Sequence, residues 1–326
     1  MDILINSSAL ASMVRISTPL TLAAIGCLLC QRAGITNLAM EGFMLMGSFV
    51  GVAAAIFSGG NVWIGMISAM VSGTLLSALF ALSIVNLKAN QIISGIAINL
   101  FSQGLTTFLL RTIFHVQGMI SADKLEKLRP IHIPFLDYIP IIGKALNSQT
   151  LLTYVAIILI FVTYFILFKT EYGLNIRSVG ESDEAARTAG INPINIQWSV
   201  ILISGALSGL AGAYLSTTIV SSFTINMIQG RGFNAFTAVV FGNAHPIAVW
   251  LVTLLFGYAD AIGIQIELLG TKISPSVIQM FPYALAIVAL SISSGTNKYK
   301  NLRGSLNLKQ MLKDVFMKSN KKETSE

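Results

Sequence analysis

Ionisable side chains are scarce in this sequence, so the few that lie in apolar runs are the first candidates for chemistry. Only 11% of the 326 residues are charged, whereas 54% are hydrophobic. Glu41, Asp260 and Glu267 lie in apolar runs, and Arg231 is a candidate counter-charge. Carboxylates in such surroundings are costly, and those that persist commonly carry protons or ions. Only Asp260 lies deep within its run, so these groups would form a weak proton relay at most.

A second charged group lies in the polar stretch between residues 178 and 196. A serine suited to cap a helix precedes two acids, which the helix dipole favours in a first turn. A glycine then suits the left-handed residue after the last turn, and Pro193 prevents continuation. This pattern predicts a helix over 183–189, too short to be stable unless it packs on something. It is either a connector on its own bundle or a docking element for a partner. The candidate docking residues are Glu181, Ser182, Asp183, Glu184, Ala185, Ala186, Arg187 and Gly190.

Metal, redox and nucleotide chemistry have little support in the sequence. The three histidines are scattered over polar segments, and the two cysteines, Cys27 and Cys30, share one apolar run, where they are expected to pack. The sequence contains no G-x-x-x-x-G-K-[ST] motif, because Gly143-Lys144-Ala145 lacks the first glycine and the hydroxyl. We therefore expect no enzyme, no metal and no cofactor in this chain.

The apolar runs are too long and too many for one globular core. Mean hydropathy is +0.74, and roughly 20 apolar helical residues are enough to cross a bilayer. The sequence therefore predicts an all-α, multi-pass integral membrane protein. The eight clear candidate spans are 13–30, 36–57, 62–86, 91–113, 150–168, 198–220, 246–268 and 277–294.

Basic residues set the expected orientation and require a ninth crossing. Eight of the 21 Lys and Arg lie between residues 298 and 322, so we expect 297–326 to be a basic cytoplasmic tail beside anionic lipid rather than a nucleic-acid site. The membrane domain would then be 1–296, with loop 169–197 inside and both loop 114–149 and the N-terminus outside. Parity requires residues 222–244 to cross as well. That glycine-rich segment predicts a broken helix lining a cavity.

Small residues one turn apart predict close helix packing. Gly47 and Gly51 form one such pair, and Gly205, Gly209 and Ala213 form a longer row. Small side chains let backbones approach where no hydrophobic effect drives association between membrane helices. We expect ordinary bundle packing at these positions.

Three stretches resemble the permease subunits of bacterial ABC importers of the branched-chain amino acid, ribose and nucleoside family. They are GLNIRSVGESDEAARTAGINPINIQ, LSGLAGAYLS and GRGFNAFTAVVFGNAHPIAVWLVTLLFGYADAI. The run QRAGITNLAMEGFMLMGSFVG is similar to that of the nucleoside and simple-sugar branch. The resemblance extends from about residue 20 to 292.

The resemblance implies a function and a set of partners. The chain would be the translocating permease subunit in the bacterial cytoplasmic (inner) membrane, and 181–190 would be its cytoplasmic coupling helix. A separate ATP-binding subunit would hold ATP and magnesium. A second permease, identical or homologous, and an extracytoplasmic substrate-binding lipoprotein would complete the importer.

Polar residues in or beside the spans are candidates for the solute pathway, since amides and a few aromatics suit transient contacts to hydroxyls and base edges. Each could equally be a helix-to-helix hydrogen bond. An ion-coupled secondary transporter working without an ATPase remains the alternative. The candidates are Asn37, Glu41, Asn99, Gln103, Arg231, Phe233 and Asn234.

Overall fold

The computed structural model describes residues 7–121, 125–126, 128–132, 134, 146–147, 149–268 and 280. The chain divides into two units, 1–278 and 279–326, and every element below belongs to the first. The predicted span 277–294, the tail 297–326 and much of loop 114–149 lie outside the described residues.

The described residues form mainly helices, with four very short strands. The strands pair antiparallel, Met119–Ser121 with Ser222–Thr224 and Pro130–Ile131 with Gln149–Thr150. The helices are α1 (Ser7–Arg32), α2 (Met40–Phe57), α3 (Val62–Ala81), α4 (Gln91–Phe114), α5 (Leu151–Lys169), α6 (Glu171–Glu181), α7 (Asp183–Thr188), α8 (Pro193–Tyr214), α9 (Arg231–Phe241) and α10 (Pro246–Leu268). The strands are β1 (Met119–Ser121), β2 (Pro130–Ile131), β3 (Gln149–Thr150) and β4 (Ser222–Thr224). Single π-helical turns extend α3 over Leu82–Asn86 and α8 over Leu215–Ile219.

Seven helices in the described part of the chain are long and apolar enough to cross a membrane. They correspond to seven of the eight predicted spans, with ends shifted by a few residues. Asparagine caps set several starts: the side-chain oxygens of Asn61, Asn90 and Asn192 accept hydrogen bonds from backbone N–H groups of the first turn. Helix α8 begins at Pro193, five residues before the predicted span, because the capped polar turn belongs to the same helix.

Small residues bring the central helices together, as the sequence predicts. A Cβ atom on Gly47 would meet the backbone of Gly209, and one on Gly209 would meet the carbonyl oxygen of Ala69. A Cβ on Gly51 would lie 2.8 Å from the Cβ of Ala213. Helices α2, α3 and α8 therefore pack with their backbones in near contact, and α1 joins them on α8.

Two segments differ from an uninterrupted loop or span. Segment 169–197, predicted as a loop with one short helix, also contains the amphipathic helix α6, whose Gly173, Ile176 and Val179 face inward. Segment 222–244 consists of β4, a run of turns and α9. Eleven residues of α-helix span only about 16 Å, roughly half the hydrocarbon core, so α9 is a half-helix.

Candidate functional site

A non-helical segment separates α1 from the start of α2. After α1 ends at Arg32, residues 35–38 have no regular secondary structure, and α2 starts at Met40. The Gly42 N–H in the first turn donates to Oδ1 of Asn99, 2.8 Å away on α4. Asn99 lies eight residues into α4, about 12 Å from its first residue. Asn99 Nδ2 in turn donates to the carbonyl oxygen of Leu38 at 2.9 Å, so this one amide satisfies the backbone on both sides of the helix start.

Helix α9 starts against the same turn of α2. The N–H groups of Gly230 and Gly232 donate to the two carboxylate oxygens of Glu41, at 2.7 and 2.8 Å. Gly230 adopts a left-handed φ of 83° as N-cap, which glycine does without strain. A side chain at Gly232 would collide with the Glu41 backbone. We call Glu41, Asn99, Gly230 and Gly232 the half-helix junction.

The junction solves an electrostatic problem for both α2 and α9. The first N–H groups of any helix lack partners within it, and leaving them unpaired in an apolar region is costly. Here Asn99 on α4 accepts one such hydrogen bond from α2, and Glu41 on α2 accepts two from the start of α9. The partial positive charge at the start of α9 also favours an anionic carboxylate there. Glu41 is therefore a structural acceptor in this conformation.

Arg231 lies beside the junction but donates elsewhere. Its Nη1 lies 3.3 Å from the carbonyl oxygen of Ile228 and 3.5 Å from that of Met227, in the turns before α9. Its positive charge acts on both Glu41 and Asp260. Glu41 and Asp260, two of the carboxylates that the sequence singled out, therefore both lie within electrostatic reach of Arg231. The Glu267 side chain lies outside the described residues.

The other predicted pathway residues occupy three different environments. Asn37 is fully buried, and its Nδ2 donates to Ser204 Oγ on α8 at 3.0 Å. Phe233 is 44% exposed on α9, and Asn234 is half-buried next to it. Gln103 is exposed on α4, one turn beyond Asn99. Asn37 and Asn99 therefore link neighbouring segments of the bundle, while Gln103 and Phe233 are exposed on its outside.

The charged stretch folds as the capping pattern predicts. Helix α7 runs from Asp183 to Thr188, Ser182 Oγ accepts from the Ala185 N–H at 3.3 Å, and Gly190 has a φ of 82°. Ala186 is only 1% exposed and faces the bundle. The Asp183 carboxylate accepts from Nε2 of Gln197 at 3.3 Å, which ties α7 to α8. The outward side carries the remaining charges and small residues, namely Glu181, Glu184, Ala185, Arg187 and Ala189.

An arginine–aromatic cluster ties α6 to the rest of the bundle. The guanidinium carbons of Arg177 and Arg32 lie 5.4 and 5.8 Å from the ring centre of Phe168, within the range of cation–π attraction. The His245 ring lies 5.6 Å from the same ring. Arg32 Nε also donates to the carbonyl oxygen of Ala244 at 2.7 Å. This cluster could not be predicted from the sequence, because Arg32 and His245 are far along the chain from Phe168 and Arg177.

These features define a multi-pass, all-helical membrane protein in which two helices begin at a shared polar junction. Comparison with known proteins then gives its family. Residues 9–290 match the family described as "Branched-chain amino acid transport system / permease component". The chain belongs to this family and is a membrane permease of the ABC-transporter type, as the resemblance in the sequence implied. Such permeases work with an ATP-binding subunit and a substrate-binding partner.

Curated relatives cover most of the chain. It is 37% identical over 295 residues to a nucleoside ABC transporter permease protein of Lactococcus lactis, covering 87% of this chain and 92% of the relative. It is 39% identical over 284 residues to a guanosine ABC transporter permease protein of Bacillus subtilis, covering 84% and 88%. A putative glucose ABC transporter permease protein of Haloferax volcanii is 32% identical over 296 residues, covering 85% and 89%. No solved structure matches the chain significantly.

Proposed function

We propose that this chain is the translocating permease subunit of an ATP-driven importer for nucleosides or related simple sugars. The observation that carries this proposal is the near full-length similarity to two permeases named for nucleoside and guanosine transport. The relative named for glucose keeps simple sugars in the substrate class. The comparisons do not favour the ion-coupled alternative.

The α7 helix is the proposed docking element for the ATP-binding subunit. The charged side chains on its outward side cover no apolar surface of this chain. Its inward side is held by Ala186 and by the Asp183–Gln197 contact. A two-turn helix fixed in this way presents a rigid, charged side to a partner. A depression of about 340 Å³ lies directly after it, lined by Arg187, Gly190, Ile191, Asn192, Pro193 and Ile194.

The proposed orientation follows from the basic residues of segment 169–197. Lys169, Arg177 and Arg187 lie in or beside segment 169–197, which supports a cytoplasmic location for α6 and α7. The C-terminal tail would share that side, and the N-terminus and loop 114–149 would be external. Segment 222–244, with α9 as its helical half, and the run 277–294 would bring the number of crossings to nine.

The proposed solute pathway passes the half-helix junction. Irregular backbone at membrane depth is tolerated where it lines a cavity, and both interrupted segments meet at this place. The pathway would offer a cation, an aromatic ring and amides to sugar hydroxyls and base edges, from Arg231, Phe233, Asn234 and Gln103. Asn37, Asn99 and Glu41 would hold in place the helices that form its wall. The weak, transient contacts that transport requires suit such a surface.

The proposed partners complete the importer in the bacterial inner membrane. An ATP-binding subunit would hold ATP and magnesium, a second permease of the same or a homologous sequence would form the other half of the pathway, and an extracytoplasmic lipoprotein would deliver the solute. No cofactor is assigned to this chain.

Charge reversal at the end of α6 and on α7 tests the docking role. Glu181→Lys and Glu184→Lys should abolish solute-stimulated ATPase activity and nucleoside uptake by the reconstituted importer, while membrane insertion is unchanged. Glu126→Lys, the same change at an exposed acid in the loop proposed to be external, is the matched control. Normal uptake by both variants would refute docking through α7.

A second experiment separates the two transport classes. The purified chain alone in liposomes should accumulate no labelled guanosine under a pH gradient, whereas the complete importer should do so with ATP. Accumulation by the lone chain would establish the ion-coupled alternative.

A further inference from the structure

A cavity of about 640 Å³ lies where α3 and α5 begin. Helices α3, α4 and α5 are consecutive candidate spans, so α3 and α5 begin on the same side of the membrane. Residues of the loop between α4 and α5 complete the lining. We call this space the loop cavity, and its described lining residues are Val62, Trp63, Glu126, Leu128, Arg129, Ile131 and Leu151.

Backbone contacts fix the loop against both helix starts. The Glu126 N–H donates to the carbonyl oxygen of Gly60 at 3.0 Å, in the turn before α3. Strand β2 pairs with β3, which leads directly into α5. The Tyr154 hydroxyl on α5 also donates to the carbonyl oxygen of Ile131 at 3.3 Å. The loop cavity is therefore bounded by attached backbone on two sides.

Large apolar side chains line the loop cavity without being buried. Trp63, Ile131 and Leu151 are 45%, 37% and 40% exposed. Exposed apolar residues continue along α5 within about 40° of Leu151 round the helix, at Ile158, Val162 and Phe165. Because α5 is a candidate membrane span, lipid chains are the expected neighbours of this side. An acyl chain that lies along it reaches the loop cavity at its upper end.

Two exposed charges of opposite sign line the same cavity. Glu126 and Arg129 are three residues apart, so their Cα atoms lie within about 10 Å of each other. In the described part of the chain, neither side chain forms an ion pair or a hydrogen bond. The loop cavity therefore offers both an anionic and a cationic group to an occupant, above an apolar surface.

We propose that the loop cavity binds a phospholipid whose head group carries a phosphate and a primary ammonium. Arg129 donates to the phosphate, which suits the two-pronged geometry of a guanidinium, and Glu126 accepts from the ammonium. Trp63 lies at the membrane boundary, where an indole is favoured. Leu151 and the exposed side of α5 contact an acyl chain.

This inference does not depend on the proposed function. The lipid is not the transported solute, so Glu126→Lys should still leave uptake unchanged.

The two charges distinguish this lipid from other occupants. A phospholipid without an ammonium group leaves the Glu126 carboxylate unpaired beside a phosphate. A choline head group carries a cation but has no N–H to donate. A nucleoside has neither the charges nor a chain to cover the apolar side of α5. The expected order of affinity therefore places phosphatidylethanolamine above phosphatidylcholine and phosphatidylglycerol.

Quenching of Trp63 fluorescence by brominated lipids tests the inference on the full-length chain. The sequence contains three tryptophans, and Trp198→Phe with Trp250→Phe leaves only Trp63. This protein, in dodecyl maltoside, is titrated with each of the three lipids carrying brominated acyl chains. Phosphatidylethanolamine should bind about fivefold more tightly than the other two, the factor for one partly exposed ion pair.

Variants at the two charges assign the contacts. Glu126→Gln should remove the preference for phosphatidylethanolamine, whereas Arg129→Gln should weaken binding of all three lipids by about fivefold. Both side chains are exposed, so the fold should be retained. Arg111→Gln is the matched control, because Arg111 is an exposed arginine near the end of α4, on the same side of the membrane but outside the cavity.

Three results would overturn the inference. The first is the absence of a preference for phosphatidylethanolamine in the protein with both charges intact. The second is an equal loss of lipid binding in Arg111→Gln and Arg129→Gln, which would mean that the lipid does not contact the cavity. The third is displacement of the brominated lipid by guanosine, which would make the cavity a solute site.

Discussion

The carboxylate of Glu41 should hold α9 in place. It accepts hydrogen bonds from the backbone N–H groups of Gly230 and Gly232 at 2.7 and 2.8 Å. Glu41→Ala removes both acceptors, and Glu41→Gln keeps one oxygen but turns an NH₂ group toward the other donor. These two variants therefore remove two and one of the contacts, respectively.

The size of the effect follows from the two hydrogen bonds. A hydrogen bond to a charged group contributes about 1.5–3 kcal/mol, so Glu41→Ala should destabilise the docked position of α9 by about 3–6 kcal/mol. Glu41 is only half-buried, and water entering the site would reduce this toward the lower figure. Glu41→Gln should cost about half as much. At about 1.4 kcal/mol per tenfold change, 3 kcal/mol corresponds to roughly a hundredfold change in the equilibrium for opening the segment.

Hydrogen exchange measured on the reconstituted importer detects this directly. Amides of residues 225–235 should exchange roughly a hundredfold faster in Glu41→Ala, by the same free energy, while those of α3 and α8 are unchanged. Glu171→Gln is the control, since Glu171 is an exposed acid in the first turn of α6 and should be worth at most about 1 kcal/mol. Unaltered exchange over 225–235 would show that the carboxylate does not hold α9.

Two glycines give further predictions. Gly209→Ala should destabilise the detergent-solubilised protein by about 1–3 kcal/mol, seen as a lower thermal unfolding midpoint, because the new methyl group meets the Ala69 carbonyl. Gly104→Ala, with open space around its Cβ, is the control and should be neutral or slightly stabilising. Equal losses of stability in the two variants would contradict the packing argument. Gly180→Ala should reduce solute-stimulated ATPase activity more than it reduces membrane insertion, because its methyl group meets the Arg32 carbonyl and displaces α6; full ATPase stimulation in this variant would show that the position of α6 is unimportant.

The membrane spans were predictable because bilayer thickness sets the length of an apolar run and asparagine caps set several starts. The short helix after Ser182 was predictable for a similar reason, since capping is local chemistry. Helix α6 was missed although its signal was present: Gly173, Ile176 and Val179 recur at three-residue spacing after a capping threonine. The charged residues of this segment are typical of a loop, but one apolar side is enough for a surface helix.

The roles of the polar residues could not be predicted from the sequence. Glu41 and Arg231 suggested a pair of opposite charges, yet the carboxylate bonds to backbone N–H groups and the guanidinium to backbone carbonyls. A sequence shows side chains, whereas unpaired backbone groups exist only where a helix begins or ends within the bundle. Both interruptions had to be located in space before the partners of Glu41 could be identified.

The two ends of α9 contact two sites, the half-helix junction and the arginine–aromatic cluster, whose residues are far apart along the chain. Its first residues are held by Glu41, and the turn after its last residue receives the Arg32 side chain at Ala244. Arg32 and Arg177 share the ring of Phe168, and Arg177 lies on α6, which leads directly into α7. An eleven-residue helix is stiff, so a displacement of α7 that moves α6 has a route of direct contacts to the half-helix junction. Under the proposed function, this route joins the docking surface to the solute pathway through rigid elements.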